Sequence, residues 1–155
     1  MHESLEYIFY HLDYKTVKDL LDRMSPQFSP SLSCNMDLDS YAEKLATNAT
    51  FLLCKSSDLV VGAIVFYPNS STSIIYIPLV WVDNDWRGQR IAKNMFMSLL
   101  QYGDSNKFKN IDLEVLKSNK EARCLYSSLG FSILEDRQSK FLLRLPLSNK
   151  DEKNE

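Results

Sequence analysis

Three apolar runs, rich in β-branched and aromatic residues, constrain the fold of this chain more than any other feature. They occupy residues 51–54, 59–67 and 74–82, and polar turn residues separate them. This pattern predicts consecutive antiparallel strands. Pro78 lies inside the third run and cannot donate to a β-ladder, so it marks an edge, a bulge or a place where strands part.

Apolar residues at helical spacing flank these strands and complete a mixed pattern of elements. The sequence predicts, in order, a strand at 6–12, a helix through Val17 and Met24, a helix at 40–48 begun by a capping box, the three strands, a helix that starts near Gln89 and ends at Gly103, a strand at 111–116, a helix at 119–129 closed by Gly130, and two strands at 131–134 and 141–145. This order is typical of an α/β fold in which a mixed, mostly antiparallel sheet carries helices on its faces.

Length and charge limit the classes of function. The 155 residues predict a single domain at 1–147, and the charged residues 148–155 predict a disordered tail. A net charge of −2 gives no electrostatic signature for nucleic acid or an anionic membrane, and no apolar run approaches the ~20 residues of a membrane span.

The cysteines indicate the compartment. Cys34, Cys54 and Cys124 are widely spaced and odd in number, which favours reduced thiols in the cytoplasm over a disulfide framework or a metal site. The sequence leaves open whether the chain is a monomer or a homodimer.

The segment that joins the third strand to the next helix is a candidate phosphate site. Val82 ends the strand, and a short turn with Gly88 leads into the helix. The first turn of a helix has unpaired N–H groups and a partial positive charge, to which Arg87, Arg90 and Lys93 would add. The alternative is a polar helix start with solvated basic residues. The spacings of a P-loop and of a dinucleotide-binding loop are absent.

Two motifs together resemble those of the GNAT superfamily of acyl-coenzyme A-dependent N-acyltransferases. The phosphate-loop pattern Gln/Arg-x-x-Gly-x-Gly/Ala corresponds to residues 87–92, where Arg87 and Ala92 match. The pattern Asn-x-x-Ala-x-x-x-Tyr-x-x-x-Gly-Phe is matched at every position, by Asn119, Ala122, Tyr126, Gly130 and Phe131.

The resemblance implies a GNAT fold with a splayed parallel strand pair, and transfer of an acetyl group from acetyl-coenzyme A to an amine. It implies that pantetheine pairs with backbone groups of the strand before the phosphate loop, that Asn119 contacts the cofactor and that Tyr126 protonates the departing thiolate. The residues implied to bind acetyl-coenzyme A are Val80, Trp81, Val82, Arg87, Gly88, Gln89, Arg90, Ile91, Ala92, Lys93, Asn119 and Tyr126. For Tyr126 the alternative is a core tyrosine with a satisfied hydroxyl, and Asn119 is also a helix N-cap candidate.

Arg90 departs from the family pattern, which has glycine at this position. Because a helix start does not require positive φ, we expect arginine to be accommodated without strain. Its side chain either contacts phosphate or points into solvent.

Glu114 is the candidate general base. It lies twelve residues before Tyr126, a spacing that resembles the ribosomal-protein N-terminal alanine acetyltransferases, whose matching glutamate accepts a proton from the amine. The alternative is a polar strand position, since Asp112 and Glu114 share one strand face. Asp83 and Asp85 are expected to form a turn.

The acceptor is less constrained than the donor. In the family, the acceptor meets the first two helices, their loop and the last strand pair. The turn at 135–140 is short, which favours a small-molecule amine over a protein N-terminus or lysine. A degenerate module that binds coenzyme A without catalysis is the other alternative.

Overall fold

The computed structural model describes residues 4–147, and within them the strands and helices follow the predicted order. The elements are β1 (Leu5–Tyr10), α1 (Tyr14–Met24), α2 (Leu38–Asn48), β2 (Thr50–Ser56), β3 (Leu59–Asn69), β4 (Ile74–Val82), α3 (Ile91–Ser105), β5 (Asn110–Leu116), α4 (Lys120–Leu129), β6 (Ser132–Arg137) and β7 (Lys140–Pro146). The predicted tail, 148–155, lies outside the described residues.

The strands form one mixed sheet in the order β1-β2-β3-β4-β5-β7-β6. Pairs β1–β2, β2–β3, β5–β7 and β6–β7 are antiparallel, whereas β4 and β5 are parallel. The parallel register runs from Ile74–Asn110 to Ile77–Leu113 and so ends one residue before Pro78. The predicted mixed α/β fold is confirmed, and the ladder ends where the missing N–H of proline predicts.

Two helix starts differ from the predictions. Helix α2 begins at Leu38, two residues before the predicted start at Ser40. The carboxylate of Asp37 caps it by accepting a hydrogen bond from the N–H of Asp39 at 3.0 Å. Ser40 instead donates its hydroxyl to Asp37 at 2.9 Å. Helix α3 begins at Ile91 rather than near Gln89, because the intervening residues form a turn.

The chain divides into two units, and the first contains residues 4–66 and 79–95. Residues 50–54 of β2 are consecutively buried, so both faces of that strand are covered. The buried face of α1 is Val17, Leu20, Leu21 and Met24, as helical spacing predicted. Gly62 on β3 meets the start of α3: a Cβ there would lie 3.0 Å from Ile91 Cγ2 and 3.2 Å from Met95 Cε.

The second unit contains residues 67–78 and 96–147. Its centre is a cluster of three aromatic rings, in which Phe96, Tyr126 and Phe131 meet edge to face with centroids 5.6–6.0 Å apart. Gly130 ends α4 with φ of 104°, a left-handed conformation that favours glycine. The prediction of a single domain at 1–147 stays a prediction.

The hairpin of β6 and β7 is tighter than the sequence suggested. Its strands extend to Arg137 and from Lys140, so only Gln138 and Ser139 form the turn, instead of residues 135–140. All six residues of β6 are exposed. Among the described residues, no helix is long and apolar enough to cross a membrane.

Candidate active site

The end of β4 is fixed by side chains from α1 and the turn that follows it. Arg23 donates to Asp83 Oδ2 at 2.6 Å and to the carbonyl of Val60 at 2.5 Å. Gln27 Oε1 accepts hydrogen bonds from the indole N–H of Trp81 at 3.0 Å and from the N–H of Asn84 at 2.9 Å. These bonds hold the chain just before the predicted phosphate loop.

Asp83 is a structural residue. Burial opposes its ionisation, but hydrogen bonds from the N–H of Asp85 and from Arg23 outweigh burial and lower its pKa. Its carboxylate accepts from Asp85 N at 2.9 Å, which closes the turn after β4. The expectation that this residue forms a turn is confirmed.

The side chain of Trp81 belongs to the core. It is 2% exposed, and the Arg23 guanidinium carbon lies 5.2 Å from its ring centroid. Any contact of Trp81 with a cofactor is therefore left to its backbone. Val80 and Val82 alternate with it and are half-exposed, and their predicted backbone contacts to pantetheine stay a prediction.

Helix α3 begins with unpaired donors among basic side chains. Its first backbone bond runs from Asn94 N–H to the carbonyl of Arg90 at 3.0 Å, so the helix offers no acceptor to the N–H groups of residues 91–93. Arg87, Arg90 and Lys93 are exposed, and within residues 4–147 none of them forms an ion pair. This arrangement can bind phosphate through backbone dipoles and cations together.

The expectation that Arg90 needs no positive φ is wrong. Its φ is 61°, within the left-handed region, and that of Gly88 is 79°. The family position normally held by glycine therefore does require a left-handed conformation here. An L-residue there costs roughly 1–2 kcal/mol. Among the remaining residues of the motif, Gln89 is exposed, Ile91 is buried and Ala92 is half-exposed.

We predict that Arg90→Gly is more stable than Arg90→Ala by about 1 kcal/mol, because both changes delete the same side chain and only alanine keeps the left-handed strain. Free energies of unfolding in urea measure the difference. Gln89, whose backbone is not left-handed, is the matched control: there alanine should be the more stable. Equal free energies at position 90 would contradict the assigned strain.

Glu114 lies in a polar row on one face of the second unit. Its Oε1 accepts a hydrogen bond from the Tyr76 hydroxyl at 3.3 Å, and its Oε2 lies 3.4 Å from Arg137 NH1. Asp112 shares the strand face, as alternation predicted, but Arg144 holds it by two hydrogen bonds of 2.8 and 2.9 Å. Of the two carboxylates, Glu114 is the one not held by a bidentate pair.

The side chain of Tyr126, the candidate general acid, is buried. It is 7% exposed, and burial raises its pKa to about 12. Within the described part of the chain, no hydrogen bond involves its hydroxyl, and burial alone shifts its pKa. The catalytic role of Tyr126 stays a prediction.

Asn119 caps α4. Its Oδ1 accepts a hydrogen bond from the N–H of Ala122 at 3.1 Å. The N-cap role is confirmed, and a cofactor contact through the exposed side chain stays a prediction.

A cavity of about 580 Å³ beside α4 contains none of the predicted site residues. Its lining is Lys120, Arg123, Cys124, Ser127, Phe131, Ser132, Ile133, Phe141 and Leu143. The three cysteines form no disulfide, and no group of three or more potential metal ligands lies together within residues 4–147.

Sequence reasoning missed four residues that organise these sites. Tyr76 and Arg137 contact Glu114, while Arg23 and Gln27 fix the end of β4. These partners are 23 to 60 residues apart in the chain. The only sequence signal for any of the four was the predicted acceptor segment at 135–140, which contains Arg137.

Comparison with known proteins agrees with this geometry. The model of the acetyltransferase (GNAT) family matches residues 16–131. A comparison with curated proteins found no match. Among solved structures, the chain is similar to the PaiA N-acetyltransferase of Thermoplasma acidophilum in complex with coenzyme A (14% identity, TM-score 0.72, 91% of this chain and 99% of that one).

It is also similar to the ribosomal-protein-S18-alanine N-acetyltransferase of Escherichia coli (15% identity, TM-score 0.74, 92% and 95% covered) and to a GNAT-family acetyltransferase of Staphylococcus aureus (15%, 0.72, 94% and 100%). At these identities the likeness concerns the fold, and the family match concerns the chemistry. The predictions of a GNAT fold and of an acyltransferase are confirmed: this chain belongs to the acetyltransferase (GNAT) family.

Proposed function

We propose that this protein transfers an acetyl group from acetyl-coenzyme A to the primary amine of a small molecule. The observation that carries the proposal is the start of α3, where unpaired N–H groups and three exposed cations lie together. No metal enters the reaction as proposed. A cytoplasmic location is part of the proposal and rests on the number and spacing of the cysteines.

The first unit would bind the phosphates. The N–H groups of residues 91–93 donate to phosphate oxygens, and Arg87 and Lys93 neutralise their charge. The Arg87 Nε lies 3.4 Å from the carbonyl oxygen of Val82, at the outer limit of a hydrogen bond, so its side chain is free to turn towards a phosphate. Arg90 adds a contact only if its side chain turns towards the phosphates.

The second unit would act on the reacting atoms. Glu114 accepts a proton from the acceptor ammonium, and the freed nitrogen lone pair attacks the thioester carbonyl carbon. The C–N bond forms and the C–S bond breaks, and the C–S electron pair leaves on sulfur as a thiolate. The second proton of the attacking nitrogen passes to water, which leaves a neutral amide. Tyr126 donates a hydrogen bond to that thiolate. The ordinary pKa of a thiol, about 8.5, lies below that of the Tyr126 hydroxyl, about 12. Complete transfer of the Tyr126 proton to the thiolate is therefore unfavourable, and the hydroxyl stabilises the leaving thiolate as a hydrogen-bond donor.

The β6–β7 hairpin, where the acceptor is expected to bind, favours a small amine. The β6–β7 turn contains only Gln138 and Ser139, which offers little surface to hold a peptide. A protein N-terminus is the second candidate, supported by the twelve-residue spacing of Glu114 and Tyr126.

We predict that acetyl-coenzyme A at ~100 times its dissociation constant stabilises the fold by about 2.7 kcal/mol. Thermal melting and titration calorimetry measure this. Acetyl-pantetheine, which lacks the diphosphate, should bind much more weakly because it misses the α3 start. Equal affinity for both compounds would contradict the phosphate assignment, and binding of neither would contradict acetyl-coenzyme A as donor.

Release of free coenzyme A thiol across a panel of amines then tests the acceptor. The panel should contain small amines, free amino acids and a peptide with N-terminal alanine. Turnover of the peptide alone would assign a protein substrate, and binding without thiol release from any member would leave only a coenzyme A-binding module.

A further inference from the structure

The two oxygens of Glu114 have different partners. Oε1 accepts from the hydroxyl of Tyr76 at 3.3 Å, and Oε2 lies 3.4 Å from Arg137 NH1. Burial and the charge of Glu114 raise the pKa of Tyr76 to about 12, so this hydroxyl stays a donor at any working pH. The oxygen that can accept a proton from an amine is therefore Oε2, and the Arg137 guanidinium now lies beside it.

Arg137 is held loosely at this position. Its distance to Glu114, 3.4 Å, is at the outer limit of a hydrogen bond, whereas NH2 donates to Glu135 Oε2 at 3.1 Å. The Arg137 side chain is 43% exposed. Such an exposed pair contributes little to stability, so the guanidinium can leave Glu114 while it keeps Glu135 as its partner.

The ion pairs of the described residues around Glu114 leave it short of a cation. Asp112 is paired with Arg144, and Asp136 with Lys117. Glu114 and Glu135 share the single guanidinium of Arg137. Two carboxylates and one cation leave a net charge of −1, which one ammonium group would neutralise.

We propose that Arg137 is an internal counter-ion of Glu114 that the acceptor's ammonium displaces, so that the group of Glu114, Glu135 and Arg137 selects cationic amines without a neighbouring carboxylate. This inference rests on the proposed role of Glu114 as base. The ammonium takes the place of the guanidinium at Oε2, passes its proton to that oxygen and leaves a neutral amine beside a neutral carboxyl group. An acceptor that brings its own carboxylate leaves the charge of −1 uncompensated and is repelled.

Charge-matched acceptors test the selection. The wild-type enzyme is expected to show a kcat/KM roughly tenfold or more higher for tyramine than for tyrosine, for ethanolamine than for serine, and for cadaverine than for lysine. In Arg137→Gln the competitor for Oε2 is gone, so KM for tyramine should fall at least about threefold while kcat changes less than about twofold.

The pH profile separates this role from a structural one. Loss of the cation beside Glu114 should move the acidic limb of kcat/KM to higher pH, and Arg137→Lys should restore it. Other charged or titratable groups on this face are Tyr76, Asp112, Glu135, Lys140 and Arg144, and the substitution leaves all five in place. Lys140→Gln is the matched control, since it removes one positive charge from the same hairpin and Lys140 forms no ion pair within residues 4–147.

Two results would overturn the inference while Glu114 remains the base. A loss of activity in Arg137→Gln that is confined to amino acids would show that Arg137 binds the acceptor's carboxylate. Identical behaviour of Arg137→Gln and Lys140→Gln would show no link to Glu114. Absence of turnover for all three pairs would instead contradict the proposed small-amine activity, and the inference would fall with it.

Discussion

Replacement of Tyr126 by phenylalanine is expected to lower kcat by at least about tenfold, within the 10²–10⁴ that a positioned acid typically contributes. The hydroxyl has no partner in the described part of the chain, and the ring is held by Phe96 and Phe131. Phenylalanine keeps the ring contacts and removes only the donor. Steady-state kinetics with saturating acetyl-coenzyme A measure the loss.

Cofactor affinity and melting temperature should stay near those of the parent in this variant. Because burial raises the pKa of Tyr126 to about 12, its hydroxyl remains protonated through neutral and moderately alkaline pH. The ratio of the two kcat values should therefore be constant up to about pH 10. A sharp drop in melting temperature with unchanged kcat per folded molecule would make the hydroxyl structural and refute the catalytic assignment.

Glu114→Gln should reduce kcat/KM at neutral pH by on the order of 10²-fold and abolish the acidic limb of its pH profile. Glutamine has nearly the same shape and can still accept from Tyr76, so the fold should be little affected. The measurement is kcat/KM between about pH 4 and 10 with an amine of high pKa, so that loss of the acceptor's proton still requires a base.

Asp112→Asn is the matched control for this experiment. Asp112 lies on the same strand face, is 7% exposed and binds Arg144 through two hydrogen bonds. Its substitution leaves the Arg144 charge partly buried and is expected to cost about 1–3 kcal/mol of stability without removal of the acidic limb. If Glu114→Gln keeps the parental profile, the amine loses its proton to water or to another group.

Local pattern predicted most of the fold because the elements are periodic. The buried face of α1 and the strand face shared by Asp112 and Glu114 both follow from residue spacing alone. The end of the parallel ladder followed from one missing N–H at Pro78. Each of these depends on the covalent chemistry of neighbouring residues, which a sequence displays directly.

The candidate site was predicted less completely, because its geometry depends on backbone torsion and on distant partners. The φ of Arg90 is determined by the turn from β4 into α3, and nothing in the residue type reveals it. The contact of Tyr76 with Glu114 requires the register of a parallel pair, whose strands are joined through the whole of α3. Asp37 caps α2 in place of Ser40 because both residue types suit the position and only the path of the chain decides between them.

The start of α3 depends on Gly62, a residue that itself touches no ligand. A Cβ at this position of β3 would lie 3.0 Å from Ile91 Cγ2, 3.2 Å from Met95 Cε and 3.3 Å from the carbonyl oxygen of Trp81, so these neighbours would have to shift. Ile91 is also one of the residues whose N–H groups are the proposed phosphate donors. We therefore expect a larger residue at position 62 to weaken cofactor binding while every residue of the loop stays intact. Random mutagenesis that selects against cofactor binding should therefore recover substitutions on this interior strand as well as in the exposed basic turn.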